Sequence, residues 1–79
     1  MKNLTPASMR AARGILKWSL RELADQAGVA LTTGHQAEAG TREPHAATAA
    51  KLIAAFAAAG VEVLPPPADG ARRIPSESQ

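Results

Sequence analysis

Apolar side chains recur at helical spacing from the start of the chain. Met9, Ala12 and Leu16 are three and four residues apart, as on one face of a helix. They follow Thr5 and Pro6, a good helix start because threonine can cap free N–H groups and proline fits the first turn. The pattern therefore predicts a first helix that begins at this pair.

A second helix and a third follow after a short break. Ser19 and Glu22 have the spacing of a capping box, and Gly28 is a typical stop signal. A third segment covers residues 31–39 and is closed by Gly40. Since about three residues that include a glycine separate these two helices, their spacing is that of a helix-turn-helix motif.

The fourth predicted helix covers residues 45–59 and is rich in alanine. Its apolar stripe consists of Ala49, Leu52, Phe56 and Ala59, and Gly60 ends it. His45 stands at the position where a capping serine is usual, so we expect it to act as the N-terminal cap.

The C-terminal part has a different pattern. Residues 61–64 alternate like a short strand, and the proline-rich stretch 65–70 must turn or extend. Residues 71–74 can pair back as a second strand, and we expect 75–79 to be disordered. The predicted architecture is an all-α helix-turn-helix-type domain of four to five helices over residues 1–64 that ends in a short strand. The segment 65–79 is predicted to contain the proline-rich turn, a possible second strand at 71–74 that would complete a hairpin, and the disordered tail.

Composition narrows the choice of function. A chain of 79 residues has room for one small core, and the absence of cysteine excludes disulfides and thiolate metal sites. The net charge of +2 suits a polyanionic partner without requiring one. Because the N-terminus lacks an apolar signal core and the run 52–59 is too short to cross a bilayer, we expect a cytoplasmic protein with no membrane partner.

Two ordered motifs resemble a known family. The stretch 16–29 (LKWSLRELADQAGV) and the stretch 38–44 (EAGTREP) are similar to the Cro-like (XRE) helix-turn-helix proteins of the phage-repressor type. In that family a Trp-Ser step opens the second helix, Ala-Gly-Val builds the turn, and Glu-x-Gly ends the recognition helix. The resemblance extends over roughly residues 4–64, and it implies a lambda-repressor-like fold.

The resemblance also implies a function and a site. The family members are DNA-binding transcriptional regulators, usually dimeric, whose third helix enters the major groove. Carried over by position, the base-contacting residues are Leu31, Thr32, His35 and Gln36. The implied phosphate contacts are Leu20, Arg21, Thr33, Thr41 and Arg42. We therefore expect a sequence-specific regulator, a repressor or autoregulator, that binds double-stranded DNA as a homodimer.

Other residues match or depart from the family pattern. Arg13 and Glu38 match an ion pair that ties the first helix to the end of the third. Gly34 and Ala37 stand where the family usually has larger, branched apolar residues that point into the core. Leu20 replaces a residue that is commonly polar. Because Gly34 and Ala37 are too small to hold the third helix firmly on the core, they favour an alternative function. In this alternative the domain is a protein-interaction module, such as an antitoxin or anti-activator, that keeps the helix-turn-helix fold but no longer reads DNA.

Further candidates concern self-association and chemistry. Ile53 lies off the main stripe of the last helix, close in sequence to Val61 and Val63 on the predicted strand, and these three are the candidate dimer interface. His35 and His45 without thiolates make a poor zinc site, and Ser19 has no base near it in sequence. We therefore expect no metal, no cofactor and no enzymatic activity.

Overall fold

The computed structural model describes residues 4–75, which form four helices and a two-stranded hairpin. The elements are α1 (Pro6–Leu16), α2 (Leu20–Ala27), α3 (Leu31–Ala39), α4 (Ala46–Ala58), β1 (Val61–Val63) and β2 (Ala71–Arg73). The predicted mainly helical fold and its C-terminal hairpin are confirmed. Most of the predicted disordered tail, from Ser76 on, lies outside the described residues. None of the helices within this part of the chain combines the length and apolar character that crossing a bilayer requires.

Side-chain caps define the starts of α1 and α2. The Thr5 hydroxyl accepts from the backbone N–H of Ser8 at 3.1 Å, and Ser8 Oγ accepts from the N–H of Thr5 at 2.9 Å. Ser19 and Glu22 form the same reciprocal pair at the start of α2. Each box satisfies backbone N–H groups that the helix itself leaves without a partner, which is why the sequence locates these two starts well.

The starts of α3 and α4 carry no such bond. Ala30 precedes α3, and His45 occupies the capping position of α4, but neither side chain makes a capping hydrogen bond. The expectation that His45 caps the last helix is therefore wrong, although the helix does begin immediately after it. Packing of the helices against the core stabilises these two starts in place of a cap.

Left-handed residues end the first three helices. Gly28 and Gly40 have φ of 72° and 76°, a conformation that glycine adopts without steric cost. Lys17 ends α1 in the same conformation, with φ of 58°. The N–H of Trp18 then donates to the carbonyl of Arg13 at 3.1 Å. No sequence signal marks this end, because lysine rarely takes a positive φ.

The core lies between α1, α2, α4 and the hairpin. The fully buried side chains of largest volume are Phe56, Met9, Leu23, Leu52 and Val61. Trp18, in the α1–α2 turn, stacks on Phe56 with ring centroids 6.0 Å apart and planes inclined by 23°. This contact joins the turn to α4, as expected for an aromatic ring that packs between the first two helices.

The hairpin closes one side of this core. β1 and β2 are antiparallel, with Glu62 opposite Arg72, and the N–H of Ile74 donates to the carbonyl of Gly60 at 2.8 Å. Val61 and Val63 point into the protein and are 0% and 9% exposed. These two valines therefore belong to the core, so their side chains are not exposed for a dimer interface, and the expected interface remains a prediction. Ile53 is half-buried and packs against the same core.

Candidate functional site

Helix α3 has one buried face and one open face. Gly34 and Ala37 are buried, whereas Thr32, His35 and Ala39 are exposed and Gln36 is half-buried. Because successive residues of a helix are 100° apart, these four exposed or half-buried residues lie on the side of α3 that is turned away from Gly34. We call Thr32, His35, Gln36 and Ala39 the outer face of α3. Three of its four side chains can donate or accept hydrogen bonds, and none is a carboxylate or an obligatory cation.

Helix α3 is continuous although its buried residues, Gly34 and Ala37, are small. It spans all nine residues from Leu31 to Ala39, and the carbonyl of Gln36 accepts from the N–H of Thr41 at 3.2 Å just beyond its end. The Thr41 hydroxyl lies 3.5 Å from the same carbonyl. Thr41 thus closes the C-terminal end of α3. Leu31, at the other end, is half-buried.

Two exposed cationic side chains lie on the segments that precede and follow α3. Arg21 lies in the first turn of α2, and Arg42 lies in the loop after α3; both are exposed. Within residues 4–75 neither makes a side-chain hydrogen bond or an ion pair. Arg42 lines a depression together with Thr33, Gln36 and the acidic Glu43. Arg42 therefore presents an exposed guanidinium beside the polar outer face of α3, which suits an anionic partner with polar groups between its charges.

An ion pair fixes the C-terminal end of α3. Arg13 Nε donates to Glu38 Oε1 at 2.7 Å, and Nη2 donates to Oε2 at 2.6 Å. The two side chains are 22% and 14% exposed. The hydrogen bond that Arg13 donates to Glu38 raises the pKa of Arg13 above its ordinary value, and this effect outweighs the partial burial that lowers the pKa. A planar two-bond contact of this kind fixes orientation as well as distance.

Two further contacts strengthen this connection. Arg13 Nη1 donates to the carbonyl of Trp18 at 2.8 Å, so one guanidinium joins α1, the α1–α2 turn and α3. Arg10 Nη1 donates to the backbone carbonyl of Glu38 at 3.1 Å, next to the C-terminal end of α3. Sequence reasoning did not identify Arg10. An exposed arginine on α1 carries no local signal for a contact 28 residues away.

Leu20 differs from its expected role. Its side chain is half-buried, packs against the core, and lies over Gly34. A β-carbon at Gly34 would be 3.6 Å from Leu20 Cδ1. The Leu20 side chain is therefore occupied with packing against α3, and only its backbone N–H, at the first turn of α2, remains suited to a phosphate contact.

Within residues 4–75 no three His, Cys, Asp or Glu side chains are grouped so that they could hold a metal ion. Compared with known proteins, the sequence matches no protein-family model and no curated protein.

Proposed function

We propose that this protein binds duplex DNA by inserting α3 into the major groove, and that it acts as a helix-turn-helix transcriptional regulator. The observation that carries the proposal is the outer face of α3, whose own four side chains include no carboxylate, with Arg42, which makes no ion pair within residues 4–75, in the adjoining depression. The major groove of B-DNA is wide enough to admit one α-helix. Its base edges present donors, acceptors and methyl groups, which match Thr32, His35 and Gln36.

The residues divide into two roles in this proposal. Gln36 can form two hydrogen bonds with adenine, Thr32 can donate or accept, and Leu31 can contact a thymine methyl group. Arg21 and Arg42 contact phosphates, together with the free N–H groups at the start of α2. Phosphate contacts orient the protein, whereas contacts to base edges select the sequence.

Rigid support of α3 agrees with sequence-specific binding. Recognition of bases requires side chains to be held to within a fraction of an ångström. Arg10 and Arg13 hold the C-terminal end of α3 through the backbone and side chain of Glu38, and Leu20 covers Gly34 near its middle. The small size of Gly34 and Ala37 is therefore compatible with a well-held recognition helix.

Selection of bound fragments from a random duplex pool tests the proposal, followed by fluorescence anisotropy on the enriched and random duplexes. We expect salt-dependent binding to random duplex with a Kd on the order of micromolar at low salt, and tighter binding to the enriched sequence. Absence of binding to either duplex at about 50 mM salt would contradict the proposal.

The same experiment distinguishes DNA binding from the alternative function, a protein-interaction module. The outward side of α4 carries the exposed Ala47, Ala50, Ala54 and Ala58 around the exposed Lys51, and small side chains of this kind allow another protein to approach closely. A chain that fails to bind DNA but is folded by circular dichroism would favour a protein-interaction module. Sedimentation of the free protein measures the proposed homodimer in parallel.

A further inference from the structure

Leu20 and Gly34 form a complementary pair between α2 and α3. The position that a β-carbon of Gly34 would take lies 3.6 Å from Leu20 Cδ1 and 3.8 Å from Leu20 Cγ. Gly34 is buried, and Leu20 is the first residue of α2. The space beside α3 that a larger residue at position 34 would fill is therefore occupied by a side chain from the neighbouring helix.

Such a pair determines how two helices lie against each other. The distance between packed helices depends on the side chains at their contact, and protein interiors leave little unoccupied volume. With glycine at position 34, the backbone of α3 can approach α2 until it meets Leu20. The length of the Leu20 side chain, and not a side chain of α3, then sets the separation at this point.

We propose that Leu20 is a positioning residue that sets the placement of α3 relative to the first turn of α2. The consequence for DNA rests on the proposed function. In that function the first turn of α2 meets phosphates while the outer face of α3 meets bases. A change in the separation of the two helices then moves the base-reading side chains relative to the phosphate contacts, and specificity falls before general affinity does.

The geometry distinguishes two substitutions at position 34. A β-carbon alone meets Leu20 at an ordinary contact distance, so Gly34→Ala is accommodated and gains helix propensity. In Gly34→Val the two additional γ-carbons of the new side chain need the volume that Leu20 occupies, so either Leu20 or α3 must move. Leu20→Ala frees that volume, and the double variant Leu20→Ala with Gly34→Val exchanges the large and small positions.

A double-mutant cycle in urea unfolding tests the packing. We expect Gly34→Ala to raise the unfolding midpoint and both Leu20→Ala and Gly34→Val to lower it. The double variant should be more stable than the sum of the two single changes predicts, because the valine fills the space left by the leucine. Additive effects would show that the two residues do not share a packing site and would overturn the proposal.

Two readouts test positioning rather than stability. In folded Leu20→Ala protein, amide chemical shifts should change at Thr32 and Gln36 on the far side of α3, and should stay unchanged at Ala54 on α4. The ratio of specific to random DNA affinity should fall about tenfold in Gly34→Val and recover in the double variant. Leu20→Met, which preserves volume, should keep the wild-type ratio.

The two proposals fail in different ways. Unchanged amide shifts at Thr32 and Gln36, or an unchanged affinity ratio in folded Gly34→Val protein, would make Leu20 an ordinary packing residue. If the wild-type protein binds no DNA, the proposed function fails. The unfolding cycle and the amide shifts would still decide whether Leu20 positions α3.

Discussion

The Arg13 guanidinium donates two hydrogen bonds to the Glu38 carboxylate, with Nη2 2.6 Å from Oε2. This pair joins α1 to the last turn of α3. A second ion pair, Arg72 with Glu62, has a similar separation of 2.8 Å but lies on the exposed side of the hairpin. Within residues 4–75 the two pairs differ in burial and in hydrogen bonding, because Arg13 makes two bonds to Glu38 and one to the Trp18 carbonyl whereas Arg72 makes one to Glu62. They therefore form a natural comparison of a structural ion pair with a solvated one.

Removing one partner of the Arg13–Glu38 pair should lower the free energy of unfolding substantially. In Arg13→Met the Glu38 carboxylate loses two charged hydrogen bonds and the Trp18 carbonyl loses its donor, so we expect a loss of about 2–3 kcal/mol in the free energy of unfolding. Arg72→Met is the control, with an expected loss below about 1 kcal/mol. The double variant Arg13→Met with Glu38→Met should recover much of the loss, because no unpaired charge remains. Urea denaturation measures the stability of all three variants, and equal losses for Arg13→Met and Arg72→Met would contradict this expectation.

The capping boxes should contribute measurable stability. Ser19→Ala removes the acceptor for the Glu22 N–H, and we expect a loss of about 1 kcal/mol in the free energy of unfolding. His45→Ala is a matched control at the capping position of α4, where the side chain makes no hydrogen bond to the helix. Its thermal midpoint should stay close to that of the wild type. A larger effect at His45 than at Ser19 would show that the capping assignment is incorrect.

The aromatic contact between Trp18 and Phe56 should report on unfolding. Trp18 is the single tryptophan, so its fluorescence follows the packing of the α1–α2 turn on α4. Phe56→Leu removes the ring partner and part of the core volume, and should lower stability by about 1–2 kcal/mol and shift Trp18 emission to the red. Ile74→Ala, at an exposed apolar side chain, should change neither quantity appreciably. Unchanged emission in Phe56→Leu would argue against the stacked contact.

Gln36 should act on sequence selection. If it pairs with an adenine edge, Gln36→Ala should weaken binding to the enriched duplex by about 1–3 kcal/mol and leave random duplex almost unaffected. Anisotropy titrations on both duplexes measure the difference. Ala54→Ser, on the exposed side of α4, provides a control that should bind both duplexes like the wild type. An equal loss on both duplexes would remove Gln36 from base reading.

Arg42 should act on general affinity. Arg42→Gln removes one phosphate contact, so it should weaken binding to all duplexes and reduce the slope of log K against log salt by about 1. Arg72→Gln removes the same charge from the hairpin, which packs on α1 and α4, and should leave the slope unchanged. The same slope change in both variants would mean that net charge, and not the position of Arg42, governs binding.

Local signals account for what could be predicted from the sequence. Capping boxes at Thr5 and Ser19, and glycines at positions 28 and 40, act on their own turns of backbone, so the helices could be located without tertiary information. The exposed residues of α3, such as Thr32 and His35, were expected only through the resemblance to a family, which carried them over by position. The Arg13–Glu38 contact was expected only through the resemblance to a family.

The tertiary structure decided the remaining features. Leu20 fills the space over Gly34, Arg10 reaches the carbonyl of Glu38, and Val61 and Val63 turn into the core and not toward a second subunit. Each of these outcomes depends on residues that are far apart in sequence. The sequence by itself determined which segments are helices and where most of them begin and end, whereas the polar side of α3 was expected through the resemblance to a family. How closely the helices approach, and which apolar side chains remain accessible, is settled only when all of them compete for one small core volume.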